Sequence, residues 1–306
     1  MARIVFMGTP EFAVPALQRL IQQHEVVAVV TQPDRPAGRN RQVQMSPVKQ
    51  VAVAAGIPVF QPERLRRPEA IEALRQWPAD VFVVAAFGQI LPQVVLDMPA
   101  HGSLNIHASL LPRWRGAAPI NAAIRAGDAE SGITLMRMDA GLDTGPMLTQ
   151  RAIPLAPDET AETLHDKLSA LGADLLIETL PGYLRGEITP QPQDDTLVTF
   201  APRIDKAEGR IQWGDSAAAI ERQVRAFTPW PGTFTSWNGK QLKILSGRTT
   251  AGTAEPGQVI ERDGQVAIGT GDGLFVPVRL QLEGKNAVSV DDFRRGHGEF
   301  VGATLI

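Results

Sequence analysis

The sequence predicts a doubly wound α/β domain on a mostly parallel sheet, followed by a smaller C-terminal β domain. Two observations predict the first. Near-continuous Val- and Ile-rich runs recur through the first half of the chain, as strands covered on both faces require. Segments with apolar residues at helical spacing separate these runs, the alternation that builds a parallel sheet with helices on each side. A third observation predicts the second domain. From residue 233 onward short β-rich runs such as "TFTSW" and "QLKILS" are punctuated by glycine, the pattern of a small barrel or meander.

In chain order, "RIVFMG" (3–8) and "EVVAVVTQ" (25–32) read as strands around a helical segment at 11–23. "GIPVF" (56–60), a helix at 68–76, "DVFVVAAFG" (80–88) and "GSLNIHAS" (102–109) continue the alternation. A helix near 117–126 precedes two more strands, "GITLMRMD" (132–139) and "GPMLTQRAIPL" (145–155). The segment 157–180 reads as a long amphipathic helix whose acidic start suits a helix N-terminus. "RGEITPQPQDDTLVTFAPRI" (185–204) is rich in Pro, Asp and Gln and lacks helical period, so it reads as a linker or extended strap. The expected division is a catalytic domain over 1–188, a linker over 189–204 and a C-terminal domain over 205–306. The latter opens with a helix at 216–227 and a turn, "TPWPG".

Composition narrows the function. With 306 residues the chain is long for one compact domain and comfortable for two. The absence of cysteine excludes disulfides, thiolate metal sites and thiol nucleophiles. No apolar run reaches the roughly 18 residues of a membrane-spanning helix. The first strand begins almost at Met1 with no charged leader, so the expectation is a cytoplasmic enzyme without signal peptide. Net charge is −3, and residues 203–306 carry 13 Lys and Arg against 12 Asp and Glu. A nucleic-acid partner would therefore be met by local basic patches rather than a global field. The first strand–helix turn, "FMGTPEFAVPA", has Gly8 alone where a dinucleotide site wants Gly-x-Gly-x-x-Gly. A nicotinamide or flavin is not expected, and no phosphate-cradling P-loop run is present.

Polar residues gather elsewhere. Asn105 and His107 lie two apart on a strand, so both point to one face at its carboxyl end, where ligands of open α/β sheets bind. The strand at 132–139 leads into "AGLDTGP", which carries Asp143. Amide, imidazole and carboxylate are then expected to converge at neighbouring strand ends. Read alone, the three residues are equally a satisfied polar cluster in which His107 caps its strand.

"NIHASLLPRWRGAAPI" followed by "DAGLDTGPML" resembles the folate-dependent formyltransferase family. In that family an Asn-x-His pair, a Ser-Leu-Leu-Pro loop and a later Asp assemble one site. "FMGTPEFA", "TQPDRPAGR", "SPVK", "VFQPERL", "DVFVVAAFGQILP", "PDETAETLHDKL", "DTLVTFAPRI" and "RAFTPWPGTF" extend the resemblance over most of the chain, toward the branch that acts on methionyl-tRNA. The resemblance implies a Rossmann-like first domain and an oligonucleotide-binding (OB-like) barrel at the C-terminus. It implies transfer of the formyl group of 10-formyltetrahydrofolate to the α-amino group of methionine on initiator tRNA, without metal.

By the same resemblance Asn105, His107 and Asp143 are the catalytic residues. Asn105 and His107 would stabilise the carbonyl oxygen as it gains charge, and Asp143 would accept a proton through water and orient the imidazole. Ser109, Leu110, Leu111 and Pro112 would shape the folate side, and "FGQILP" (87–92) would line the pterin slot. Arg35, Arg39 and Arg41, on an otherwise ordinary polar loop, would face the tRNA acceptor end. Here the loop continues "NRQVQM" where the family often continues with lysines. Arg113 and Arg115 beside Trp114 offer further charge and stacking, or are simply solvated around a packed tryptophan. Two rival readings are a formyltransferase for a small amine and a non-catalytic RNA-binding protein on the same scaffold.

Overall fold

A computed structural model describes residues 1–37 and 42–306. They divide into two compact units. The first comprises 1–119, 130–154 and 165–201, and the second 120–129, 155–164 and 202–306.

The first unit is built on seven strands: β1 (Arg3–Gly8), β2 (Glu25–Val30), β3 (Val59–Phe60), β4 (Val81–Ala85), β5 (Ser103–His107), β6 (Glu130–Arg137) and β7 (Met147–Pro154). Their order across the sheet is β7-β6-β5-β4-β1-β2-β3. Strands β3 through β5 run parallel to one another, whereas β6 is antiparallel to both of its neighbours. Ile4, Val5, Phe6 and Met7 are all 0% exposed, which is why β1 reads as an unbroken apolar run and not an alternating one.

Helices α1 (Val14–Gln23), α2 (Pro47–Ala54) and α3 (Pro68–Leu74) join the parallel strands. Apolar periodicity does not mark α2. Its signal is local: the Ser46 hydroxyl caps it by accepting from Lys49 N at 3.1 Å, and Pro47 fills the first turn. Gly8 ends β1 where a Cβ would lie 2.8 Å from that of Ala13 and 2.9 Å from Ala85 O, so the glycine serves close packing.

Further along the chain, α4 (Pro119–Ala126) is followed by α5 (Ala161–Leu184). The latter begins four residues later than the acidic pattern suggests because Thr160 is its cap: Thr160 Oγ1 accepts from Thr163 N at 3.2 Å. It continues through Pro181 and stops before Gly186, whose φ of +75° suits a helix end.

In the second unit α6 (Ala217–Ala226) precedes an antiparallel sheet of β8 (Thr233–Trp237), β9 (Lys240–Thr250), β10 (Val259–Arg262), β11 (Gln265–Gly269) and β12 (Leu274–Leu282). Their order is β8-β9-β12-β11-β10, and β13 (Val288–Ser289) pairs with β12. Ile220, Val224, Ile244, Phe275 and Leu280 share one core with Trp213. A short helix, α7 (Val290–Gly296), lies in a region the glycine punctuation presents as strands only. Ser289 caps it, and its Phe293 packs edge-on against Trp237 and Phe300.

Candidate active site

Asn105 and His107 share one face of β5, with His107 buried and Asn105 half-buried. Asp143 reaches them by a route other than neighbouring strand ends. Because β6 runs antiparallel to β5, its carboxyl end lies beside the start of β5, with Arg137 opposite Leu104. The connection leaves there, where Met138 N donates to Ser103 O at 2.7 Å, and returns at Met147 opposite Met136. Between these points the loop folds back over the face that carries the Asn–His pair. Asp139 shapes its first half, its Oδ1 accepting from Gly141 N at 3.0 Å and Thr144 Oγ1 at 2.7 Å.

The three side chains meet. Asp143 Oδ1 accepts from Asn105 Nδ2 at 3.5 Å, and Oδ2 lies 3.7 Å from His107 Nδ1. Oδ2 also accepts a shorter bond, 2.9 Å, from Gly116 N. Gly116 has a φ of +121°, and a Cβ there would lie 2.6 Å from Ala201 O, so both its conformation and its surroundings require glycine. On the other side of the ring, His107 Nε2 donates to Trp114 O at 3.0 Å. A carbonyl can only accept, so Nε2 carries a proton, and Nδ1 is the nitrogen that faces the carboxylate. Asp143 and Trp114 both adopt left-handed backbone, φ +53° and +64°. Such residues cost about 1–3 kcal/mol each and persist only where surrounding bonds hold them.

The loop after β5 is organised from beneath by Thr134. Its Oγ1, fully buried, donates to Ser109 O at 2.6 Å and accepts from Leu111 N at 3.0 Å and Gln150 Nε2 at 2.8 Å. Ser109 is buried with its hydroxyl donating to Arg113 O at 2.6 Å, and Leu111 is buried too, whereas Leu110 and Pro112 are half-exposed. Thr134→Val keeps the shape of the side chain but strips Leu111 N and Ser109 O of their buried partner. The expected loss is about 1–3 kcal/mol of stability, read by denaturant unfolding.

The loop after β4 is held to the sheet through Phe87 O, which accepts from Gln32 Nε2 at 3.0 Å and Thr9 Oγ1 at 3.3 Å. Beyond it Ile90 is exposed, as is Leu142 on the Asp143 loop. Arg35 opens a short hairpin in which residues 35–37 pair with 42–44, and its side chain is exposed. Arg39 and Arg41 lie outside the described residues. At the foot of the hairpin Asp34 pairs with Lys49 of α2 and accepts from Gln61 Nε2 at 2.8 Å; the lysine first, then the glutamine, hold its carboxyl below the usual carboxylate range.

Two further residues belong to this neighbourhood: Arg115, for which the sequence leaves charge and stacking or solvation open, and Gln193, to which it gives no role. Arg115 is buried and not solvated, its Nε donating to Gln193 Oε1 at 2.9 Å and its Nη2 to Asp195 Oδ1 at 2.8 Å. Gln193 in turn donates from Nε2 to Asp143 O at 2.7 Å and Gly145 O at 2.8 Å. The one sequence signal is that Gln193 belongs to a segment too polar and proline-rich to be a core element. Among the described residues no three His, Cys, Asp or Glu side chains gather as a metal site, and no helix is long and apolar enough to cross a membrane.

Comparison with known proteins agrees with this layout. Residues 2–180 match the formyl transferase family and residues 203–298 the formyl transferase C-terminal domain. The chain is 52% identical over 298 residues to the methionyl-tRNA formyltransferase of Citrifermentans bemidjiense, covering 96% of this chain and 93% of that protein. It is 50% identical over 297 residues to the protein of that name from Geobacter sulfurreducens, with 96% and 93% covered. Among solved structures it resembles WlaRD, a sugar 3N-formyl transferase, with a TM-score of 0.67, 20% identity and coverage of 94% and 99%. It also resembles HypX from Aquifex aeolicus in complex with tetrahydrofolic acid, with a TM-score of 0.63, 21% identity and coverage of 98% of this chain but 47% of that one. At such identities these two structures speak for the fold alone.

Proposed function

This chain belongs to the formyl transferase family, and we propose that Asn105, His107 and Asp143 form the site at which it carries out its reaction. The enzyme transfers a formyl group to the methionine carried by tRNA. The observation that carries the site assignment is the meeting of amide, imidazole and carboxylate within 3.7 Å on one sheet face.

The reaction joins the α-nitrogen of methionine to the formyl carbon and breaks the bond from that carbon to the donor nitrogen. One proton leaves the amine and one arrives on the donor. The formyl oxygen gains negative charge on the way, and losing one donor to such an oxygen typically costs about 10²- to 10³-fold in rate. Asn105 has a second amide hydrogen beyond the one directed at Asp143, and it suits that oxygen. His107 presents Nδ1 to the same place while Nε2 stays on the Trp114 carbonyl, so the ring carries both protons when it donates. Asp143 takes the proton from the attacking amine and returns it to the departing nitrogen through water.

The donor is 10-formyltetrahydrofolate, which supplies the activated formyl group, and the acceptor is methionine on initiator tRNA. Backbone groups of the segment Ser109–Pro112 bound the folate side, since the hydroxyl of Ser109 and the side chain of Leu111 are already enclosed. Exposed Ile90 and Leu142 offer apolar cover for a flat ring. Arg35, Arg39 and Arg41 meet the acceptor end of the tRNA, and residues 205–306 add backbone contacts. A cytoplasmic location goes with this reaction.

The test is the appearance of labelled formate on methionyl-tRNA when the enzyme is given 10-formyltetrahydrofolate. Equal rates with free methionine or another small amine overturn the tRNA assignment. Arg39→Ala is expected to raise KM for tRNA several-fold at low salt and by less at high salt, because one counterion-releasing contact is lost, with KM for folate unchanged. Identical salt dependence in the parent and the variant would show the loop to be merely solvated.

A further inference from the structure

The segment that composition marks as a linker lies, over 191–201, within the first unit and is bonded to both loops of the site. Gln191 exchanges backbone bonds of 2.7 and 2.8 Å with Met147. Thr199 Oγ1 accepts from Trp114 N at 2.9 Å, and Phe200–Ala201 run parallel to Arg115–Gly116. Both left-handed residues of the site, Trp114 and Asp143, are thus held by bonds from this one strap.

We propose that Gln193 is a positioning residue for Asp143, its amide clamping the two carbonyls on either side of the loop's turn while Arg115 fixes which way that amide faces. The side chain of Asp143 points at His107 and Asn105 only while its own backbone stays left-handed, and Gln193 holds the carbonyl of that residue. The same amide nitrogen holds Gly145 O, the point where the loop turns toward β7. Rotation of the amide is opposed because it would set the NH2 group against the guanidinium of Arg115. That arginine is buried and anchored at its other end on Asp195. Catalytic geometry is sensitive to such support, since a displacement of about 1 Å costs about 10²-fold. The inference rests on reading Asp143 as the proton acceptor of the reaction.

Gln193→Glu isolates the effect, because it keeps an acceptor for Arg115 and replaces the clamping donor with oxygen. In the full-length enzyme it is expected to lower kcat about 10- to 100-fold, with KM for both substrates unchanged. Introduced into Asp143→Asn, the same change is expected to alter kcat less than roughly twofold, because the group it positions is already gone. A loss by the same factor in both backgrounds, or one confined to KM, overturns the proposal. Should Gln193→Glu fail to fold, Arg115→Lys removes the fork that orients the glutamine, and the same two-background comparison decides. If the parent does not formylate methionyl-tRNA, the functional reading fails separately. The carboxyl resonance of Asp143, followed by carbon-13 NMR in parent and variant, then decides the positioning role, and an unchanged resonance overturns it.

Discussion

Asp143→Asn is expected to lower the rate of formyl transfer about 10²- to 10³-fold in an enzyme that remains folded. The substitution is close to isosteric, and asparagine tolerates the left-handed backbone that position 143 adopts. One side-chain oxygen remains to accept from Gly116 N, so the side chain at 143 keeps the shortest of its own bonds. What disappears is a negative charge beside the imidazole and a group able to take a proton from the incoming amine. The new NH2 would also face the Asn105 amide, placing donor against donor where the parent has a bond. Turnover at saturating substrate checks the prediction, with thermal unfolding as the control for folding. A variant within fivefold of the parent would remove Asp143 from the chemistry.

The contrast between Asp143 and its neighbours explains what the sequence could reveal. The spacing of Asn105 and His107 is a two-residue period, a local property, and the strand places both on one face as that period requires. The Val and Ile runs that become β1, β2 and β4 are equally local, and their burial on both faces follows from composition. The direction of β6 is different. A buried strand reads the same in either direction, so nothing in "GITLMRMD" says that it runs antiparallel to β5. The route of the Asp143 loop back across the sheet face was hidden for that reason.

Helices α2 and α7 escaped periodicity because they span only two turns or so, and their serine caps are the stronger signal. Arg115 and Gln193 were harder still. They meet across 78 positions of sequence by side-chain bonds that leave no periodic trace. A segment rich in Pro, Asp and Gln has the composition of a linker whether it is solvated or strapped to a site. Its buried arginine partner is the distinguishing fact, and it is visible only in three dimensions.

His107→Ala is expected to cost at least about 10²-fold in kcat, and two further substitutions identify the nitrogen responsible. The imidazole is enclosed between the Trp114 carbonyl on Nε2 and the Asp143 carboxylate on Nδ1. Glutamine can place its amide nitrogen near the position of Nε2, and asparagine near that of Nδ1. If the ring served only to hold the Trp114 turn, glutamine would restore most of the activity, because the 3.0 Å bond to the carbonyl would be rebuilt. The chemistry argued above requires the opposite order. On the proposed reaction Nε2 stays on the Trp114 carbonyl and Nδ1 donates to the developing oxyanion, so His107→Asn should exceed His107→Gln in kcat while being the less stable of the two. Asparagine cannot relay a proton, so even this variant should remain well below the parent. Steady-state kinetics on the three variants, beside their unfolding midpoints, separates the two roles. Equal rates for the asparagine and glutamine variants would leave neither nitrogen with a special task and would shift the burden of charge stabilisation to Asn105.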